Sequence, residues 1–195
     1  MKKTAIPAWL YAPPVQLDRP PVIKRAQGLP FNQLTWPDFE RLILRVVAAD
    51  REVLDCRVYG VPGQAQHGID LLAARVASPG EQACFQCKKV KVFHASDIHA
   101  AIKKFEEGPW ATQVHEFTLC VACSLESTDV TDALIEQRAH LAERKITLRV
   151  WDGSLSGELA VRLKGLPEII DDFFGREWVR AFNGPEVADR LAERL

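Results

Sequence analysis

No charge of either sign dominates this 195-residue chain: 25 Lys and Arg stand against 26 Asp and Glu, a formal net charge of -1. That balance excludes a basic, histone-like wrapper and an acidic disordered tail. No apolar run approaches the roughly 18–20 residues that a membrane-spanning helix needs. The opening stretch MKKTAIPAWLYAPPV has a positive end, but its prolines interrupt what hydrophobicity it has, so it lacks the apolar segment of a signal peptide. Neither G-x-G-x-x-G nor G-x-x-x-x-G-K-[ST] occurs, which removes the usual support for dinucleotide and P-loop readings. Internal repeats are missing as well. What is plentiful is apolar: 47% of the residues, enough for one sizeable core at this length.

Cysteine is scarce and odd in number, at five residues. A chain that can build its own core needs no disulfide staples, so a reducing compartment, the cytoplasm, is expected. Cys84/Cys87 and Cys120/Cys123 form two C-x2-C pairs, the spacing of a four-cysteine zinc site. Both pairs, however, are separated by strand-compatible residues, Phe85-Gln86 and Val121-Ala122. In an extended strand, positions i and i+3 point to opposite faces, so the favoured reading is buried thiols acting as small hydrophobes.

Residues 1–30 read as a Pro-rich arm, either solvated and packed through Trp9, Leu10 and Tyr11 or a flexible contact to an anionic partner. TWPDFERLILRVVAAD reads as a helix: Thr35 caps it, Pro37 fits its first turn, and Phe39, Leu42, Ile43, Val46 and Val47 make one stripe. CRVYG is a short extended piece. IDLLAARV and ACFQCKKVKVF then form a β-hairpin around the SPGE turn. A helix capped by Asp or Ser (SDIHAAIKKFEEG), a strand (HEFTLCVACSL), a second helix (STDVTDALIEQRAHLAERK) and a further strand (ITLRVWDG) come next. Beyond Leu155 the chain looks helical in pieces. This order predicts an α/β domain, a central mixed β-sheet flanked by helices.

Chemistry is concentrated in the hairpin. Gln86 and Lys88 share a strand face while Cys87 points the other way, and a turn centred near Pro79-Gly80 brings Asp70 opposite Lys88. A carboxylate in an otherwise apolar strand start needs a partner, which Lys88 or a metal supplies. Hard oxygen ligands suit Mg²⁺ or Mn²⁺.

GQAQHGIDLLAARV followed by FQCKKVKVF and preceded by WPDFERLI resembles the Mrr-like branch of the PD-(D/E)xK restriction-endonuclease superfamily. The resemblance covers about residues 31–150 and implies a restriction-endonuclease-like fold, with a nuclease core over 31–153. It implies Asp70 as principal metal ligand, Gln86 as a neutral carbonyl ligand where many relatives have glutamate, and the Cys87 backbone carbonyl as a further ligand. Lys88 would be the catalytic lysine. Glu40, in DFERLI, would bind the metal directly or through water. The implied activity is Mg²⁺- or Mn²⁺-dependent cleavage of double-stranded DNA. The alternative is a catalytically silent nuclease-fold module that binds DNA or assembles partners. Gln66 and His67, ahead of the Asp70 strand, and Lys89 and Lys91, after Lys88, are the candidate substrate contacts.

The segment WDGSLSGELAVRLKGLPEIIDDFFGREWVRAFNG is similar to the stretch C-terminal to such nuclease domains in large bacterial antiviral proteins with a STAND-type (NACHT-like) ATPase and a sensor region. That implies an effector active as a homo-oligomer, dimer or tetramer. Residues 154–195 would then be a helical extension or the start of a linker. Phe173, Phe174, Trp178 and Phe182 either pack on the sheet or dock on a neighbour. The near-neutral total also hides asymmetry. Residues 86–104 carry Lys88, Lys89, Lys91, Lys103 and Lys104 against Asp97 alone, beside the site where a phosphate backbone would lie.

Overall fold

A computed structural model describes residues 28–60, 66–77 and 80–193. The Pro-rich arm lies almost wholly outside the described residues, as do Gln64 and the Pro79 turn position. The described chain opens with a 3-10 turn, Phe31–Gln33, and enters α1 (Trp36–Ala49). Thr35 caps α1 as its sequence predicts: the hydroxyl accepts the Asp38 N–H at 3.2 Å and donates to the Asp38 carboxylate at 2.7 Å. The first contact satisfies a backbone donor that a bare helix end would leave open.

The sheet has five strands in sequence order: β1 (Val53–Val58), β2 (Leu71–Arg75), β3 (Gln82–Lys88), β4 (Val114–Val121) and β5 (Thr147–Asp152). β1, β2 and β3 pair antiparallel, and β3, β4 and β5 pair parallel. The change of direction comes from the connections. Only six residues separate β2 from β3, whereas α2 (Ala95–Glu106) and α3 (Thr128–Glu143) supply the crossovers that parallel pairing requires. Asp97 caps α2 from its first turn, its carboxylate accepting the His94 N–H at 2.8 Å.

Strand alternation divides the core between the two sheet faces. Ala83, Phe85, Cys87, Cys120 and Trp151 face α1, while Cys84, Phe117 and Leu119 face α2 and α3, where Phe105 stacks on Phe117 at 4.2 Å between centroids. Cys84 and Cys87 are therefore on opposite sides of β3, so this pair cannot chelate one ion without breaking the strand. Cys87 instead stands beside Cys120 across the parallel ladder.

Four short helices complete the α1 face: α4 (Glu158–Lys164), α5 (Pro167–Phe174), α6 (Arg176–Asn183) and α7 (Pro185–Ala192). Phe173, Phe174, Trp178 and Phe182 are buried in the same cluster as Phe39, Leu42 and Val46. The Arg41 and Arg45 guanidinium groups lie over the Phe173 ring, 5.6 and 5.7 Å from its centroid. Arg45 also pairs with Asp172. These helices hold α1, and so its N-terminal turn, against the sheet.

Candidate active site

The site forms where β2 begins and β3 ends. The approach to β2 is a tight turn, Gln66 to Ile69, closed by the Ile69 N–H to the Gln66 carbonyl at 3.1 Å. Both central residues are left-handed, His67 with φ +48° and Gly68 with φ +79°. That is the backbone of a type I′ turn and explains the Gly of the GID triplet. Space demands glycine as well: a Cβ at Gly68 would come within 3.0 Å of the Phe105 backbone nitrogen on α2. The turn is clamped against α2 and delivers Asp70 at a fixed height.

β2 and β3 pair with Leu71 against Phe85, and the Asp70 N–H bonds the Phe85 carbonyl at 2.8 Å. Asp70 therefore comes level with Gln86 and Cys87, not opposite Lys88 as the sequence predicted; Lys88 lies further along the strand. The Pro79-Gly80 pair had drawn the expected hairpin centre too far down the chain. The juxtaposition survives this shift. Asp70, Gln86, Cys87 and Lys88 line one cavity of about 290 Å³, together with Trp36, Gln66, Gly68, Lys89, Val90 and Lys104.

The Asp70 carboxylate is buried and accepts the Cys87 N–H at 2.6 Å. Burial pushes its pKa up, opposed by that hydrogen bond and by Lys88 and Lys104. Glu40, on the second turn of α1, is within electrostatic reach of Asp70. Its carboxyl is pushed from an ordinary 4.5 to about 7, first by burial and then by the Asp70 charge. Burial lowers the Lys88 ammonium, Asp70 opposes that, and Lys104 reinforces it. Two carboxyls resist ionisation side by side, next to a lysine that resists protonation. Burial is the first cause of all three shifts.

Gln86 supplies the most specific observation. Its side chain is 2% exposed, and its Oε1 is buried with no hydrogen-bond partner. An orphaned amide oxygen inside a protein costs about 1–3 kcal/mol, and a hard cation would satisfy it. Alternation points the same way for Cys87. Lys88 directs its carbonyl to the Ala122 N–H just past β4, so the Cys87 N–H and C=O turn to the other side of the strand, towards Asp70. Asp70, Gln86 Oε1 and the Cys87 carbonyl, with Glu40 within electrostatic reach of Asp70, could hold Mg²⁺ or Mn²⁺ through oxygen alone. Among the described residues no three His, Cys, Asp or Glu side chains gather as a metal cluster, and the donor set accordingly holds only two carboxylates.

The remaining predicted contacts divide. Gln66 lines the cavity, with its amide donating to the Tyr59 carbonyl at 2.9 Å, and Lys89 lines it too. His67 is exposed and is not among the lining residues; its place in the left-handed turn sets it against Gly108 instead. Lys91 lies along a different depression, with Phe31, Asn32 and Cys123. Sequence reasoning missed Trp36 as a cavity residue and placed Lys104 only within a charged segment. The WxxFE spacing could have found Trp36, because positions four apart on a helix share a face. No helix among the described residues is long and apolar enough to cross a membrane. Compared with protein-family models, with curated proteins and with solved structures, the chain gives no match.

Proposed function

We propose that this chain is a metal-dependent endonuclease that hydrolyses phosphodiester bonds of double-stranded DNA. The observation that carries the reading is the buried, partnerless Gln86 Oε1 beside Asp70 and Lys88, in a cavity whose free charges are cationic. Lys88, Lys89 and Lys104 make no ion pair within 4.0 Å among the described residues, and so remain available to phosphate. Asp70, Gln86 Oε1 and the Cys87 carbonyl would hold Mg²⁺ or Mn²⁺, with Glu40 binding it directly or through water. Such an ion, when bound, polarises a phosphoryl oxygen and lowers the pKa of its water.

The chain's own residues account for the rest. Lys88, its proton affinity reduced by burial, orients the attacking water and balances charge that grows on the phosphate. Lys89 and Lys104 hold the strand on either side. Gln86 in place of a carboxylate leaves the site one negative charge poorer, so metal affinity is weaker than two carboxylates on the hairpin would give. The resemblance to Mrr-like nucleases extends the reading to the restriction-endonuclease-like fold. The likeness of the segment from Trp151 to Gly184 to the stretch that follows such domains extends it to an antiviral effector joined to an ATPase and sensor region and active as an oligomer.

The test is plasmid cleavage in Mg²⁺ and in Mn²⁺ by the parent, Asp70→Ala and Lys88→Ala, each also fused to a dimerising partner. Cleavage by the parent alone is expected, with both variants folded and at least a hundredfold slower. Variants that cut as fast as the parent sink the assignment. A parent that binds DNA in both metals but never cuts, even when dimerised, favours the silent module.

A further inference from the structure

The cavity at Asp70 has a feature that phosphodiester hydrolysis alone does not call for. Trp36, at the first position of α1, lines it with 48% of its surface exposed. Its ring makes no aromatic contact among the described residues, and it belongs to neither core cluster. A second cavity of about 400 Å³ continues from the first, sharing Lys88, Val90 and Lys104 and adding Val92, Phe93, Asp97, Ala100 and Ala101. Val92 is 62% exposed on its wall. Two ammonium groups thus stand at the passage between two half-apolar hollows, with an unpaired indole in the hollow that holds Asp70 and Gln86.

We propose that Trp36 receives a nucleobase turned out of its helix while the adjacent phosphate lies between Lys88 and Lys104. The inference rests on the nuclease reading and narrows its substrate, from continuous duplex DNA to DNA carrying an unpaired nucleotide. The geometry explains why. Asp70 and Gln86 must meet the scissile phosphate from the backbone side of a strand. In a paired duplex the bases on that strand point away, towards their partners. An indole in the same cavity as the carboxylate therefore meets no base face unless one nucleotide has left the stack. A rotated base finds an aromatic plane on the Asp70 side, and the neighbouring sugar finds Val90 and the small side chains of Ala100 and Ala101. Stacking of this kind tolerates any base, because every base presents a π-face. Selection is thus for local structure and not for sequence.

The experiment compares three substrates of one sequence: continuous duplex, the same duplex with a single bulged 2-aminopurine, and the single strand. Cleavage in Mg²⁺ and 2-aminopurine fluorescence in Ca²⁺ are read for the full chain, Trp36→Phe and Trp36→Ala, with thermal melts confirming that each variant folds. The expected result is about tenfold faster cleavage of the bulged duplex than of the continuous one, the size of a single base stack. Binding quenches the 2-aminopurine, Trp36→Phe keeps most of the preference and the quench, and Trp36→Ala brings the ratio of rates close to one. Equal cleavage of bulged and continuous duplex, with the ratio and the fluorescence unmoved in Trp36→Ala, overturns the inference and leaves the nuclease standing. Trp36-dependent quenching without cleavage of any substrate, by the chain alone or fused to the dimerising partner, does the reverse: the base contact holds and the nuclease reading falls. Absence of both removes both.

Discussion

Glu40→Gln tests the charge arrangement at the site without touching the hairpin. The unfolded chain ionises this carboxyl near 4.5, and the folded chain near 7. Between those values the unfolded state has lost the proton that the folded state keeps, so stability falls as pH rises through the window and levels off above it. A shift of this size corresponds to about 3 kcal/mol. Relaxation and water entry on ionisation reduce this, so a loss of about 2 kcal/mol is expected. For a chain of this size that is roughly 4–8 °C in melting temperature. Asp70, whose pKa is also raised by burial, adds a component of the same sign. The assay is thermal unfolding across about pH 4.5 to 8.5 in EDTA. Glu40→Gln should lack this part of the fall and melt higher than the parent at about pH 8. Mg²⁺ should raise the parent more than the variant, because only the parent offers it the second carboxylate. Superimposable pH profiles in EDTA would refute the reasoning, since Glu40 would then be an ordinary solvated glutamate.

Two further outcomes test how the site is held. Gly68→Ala places a Cβ at φ +79° and within 3.0 Å of the Phe105 backbone, so it should destabilise the fold by about 1–3 kcal/mol; chemical denaturation measures it, and a change below about 0.5 kcal/mol would mean the turn does not clamp on α2. Phe173→Ala removes a ring buried to 2% exposure beneath two guanidinium groups, and a loss of about 3–5 kcal/mol by denaturant titration is expected. A near-neutral result would mean the C-terminal helices are not part of the core that carries α1.

The elements with a strong local signal were legible from the amino-acid order. Thr35, Pro37 and the Phe39–Val47 stripe set α1, because capping and periodicity act within one helix. The alternation Cys84–Cys87 likewise placed its two thiols on opposite faces. Register was less legible: Pro79-Gly80 is a turn signal, but a hairpin centre depends on where the flanking ladder begins, and Asp70 came level with Gln86. The four helices after β5 illustrate a different limit. Their apolar residues announced burial, but α6 was not separated from its neighbours, and only the packed core shows that they close over α1. Trp36 was passed over because an exposed aromatic at a helix start belongs to no apolar stripe, and only its spacing from Glu40 could have marked it. Its meaning comes from what the sheet brings opposite it.

The site's parts are separated very differently along the chain. Asp70, Gln86, Cys87 and Lys88 belong to one hairpin and come together once a short loop closes. Glu40 and Trp36 ride on α1, whose seat is completed by α5 through contacts such as Arg45 with Asp172, 127 residues apart. During synthesis the hairpin can therefore pair while the helix facing it still lacks half of its support. Glu40 settles only after α5 has emerged from the ribosome. A chain interrupted before α5 would carry Lys88 and Asp70 in register with Glu40 less firmly seated, so the order of chain growth itself sets when the hairpin and α1 meet.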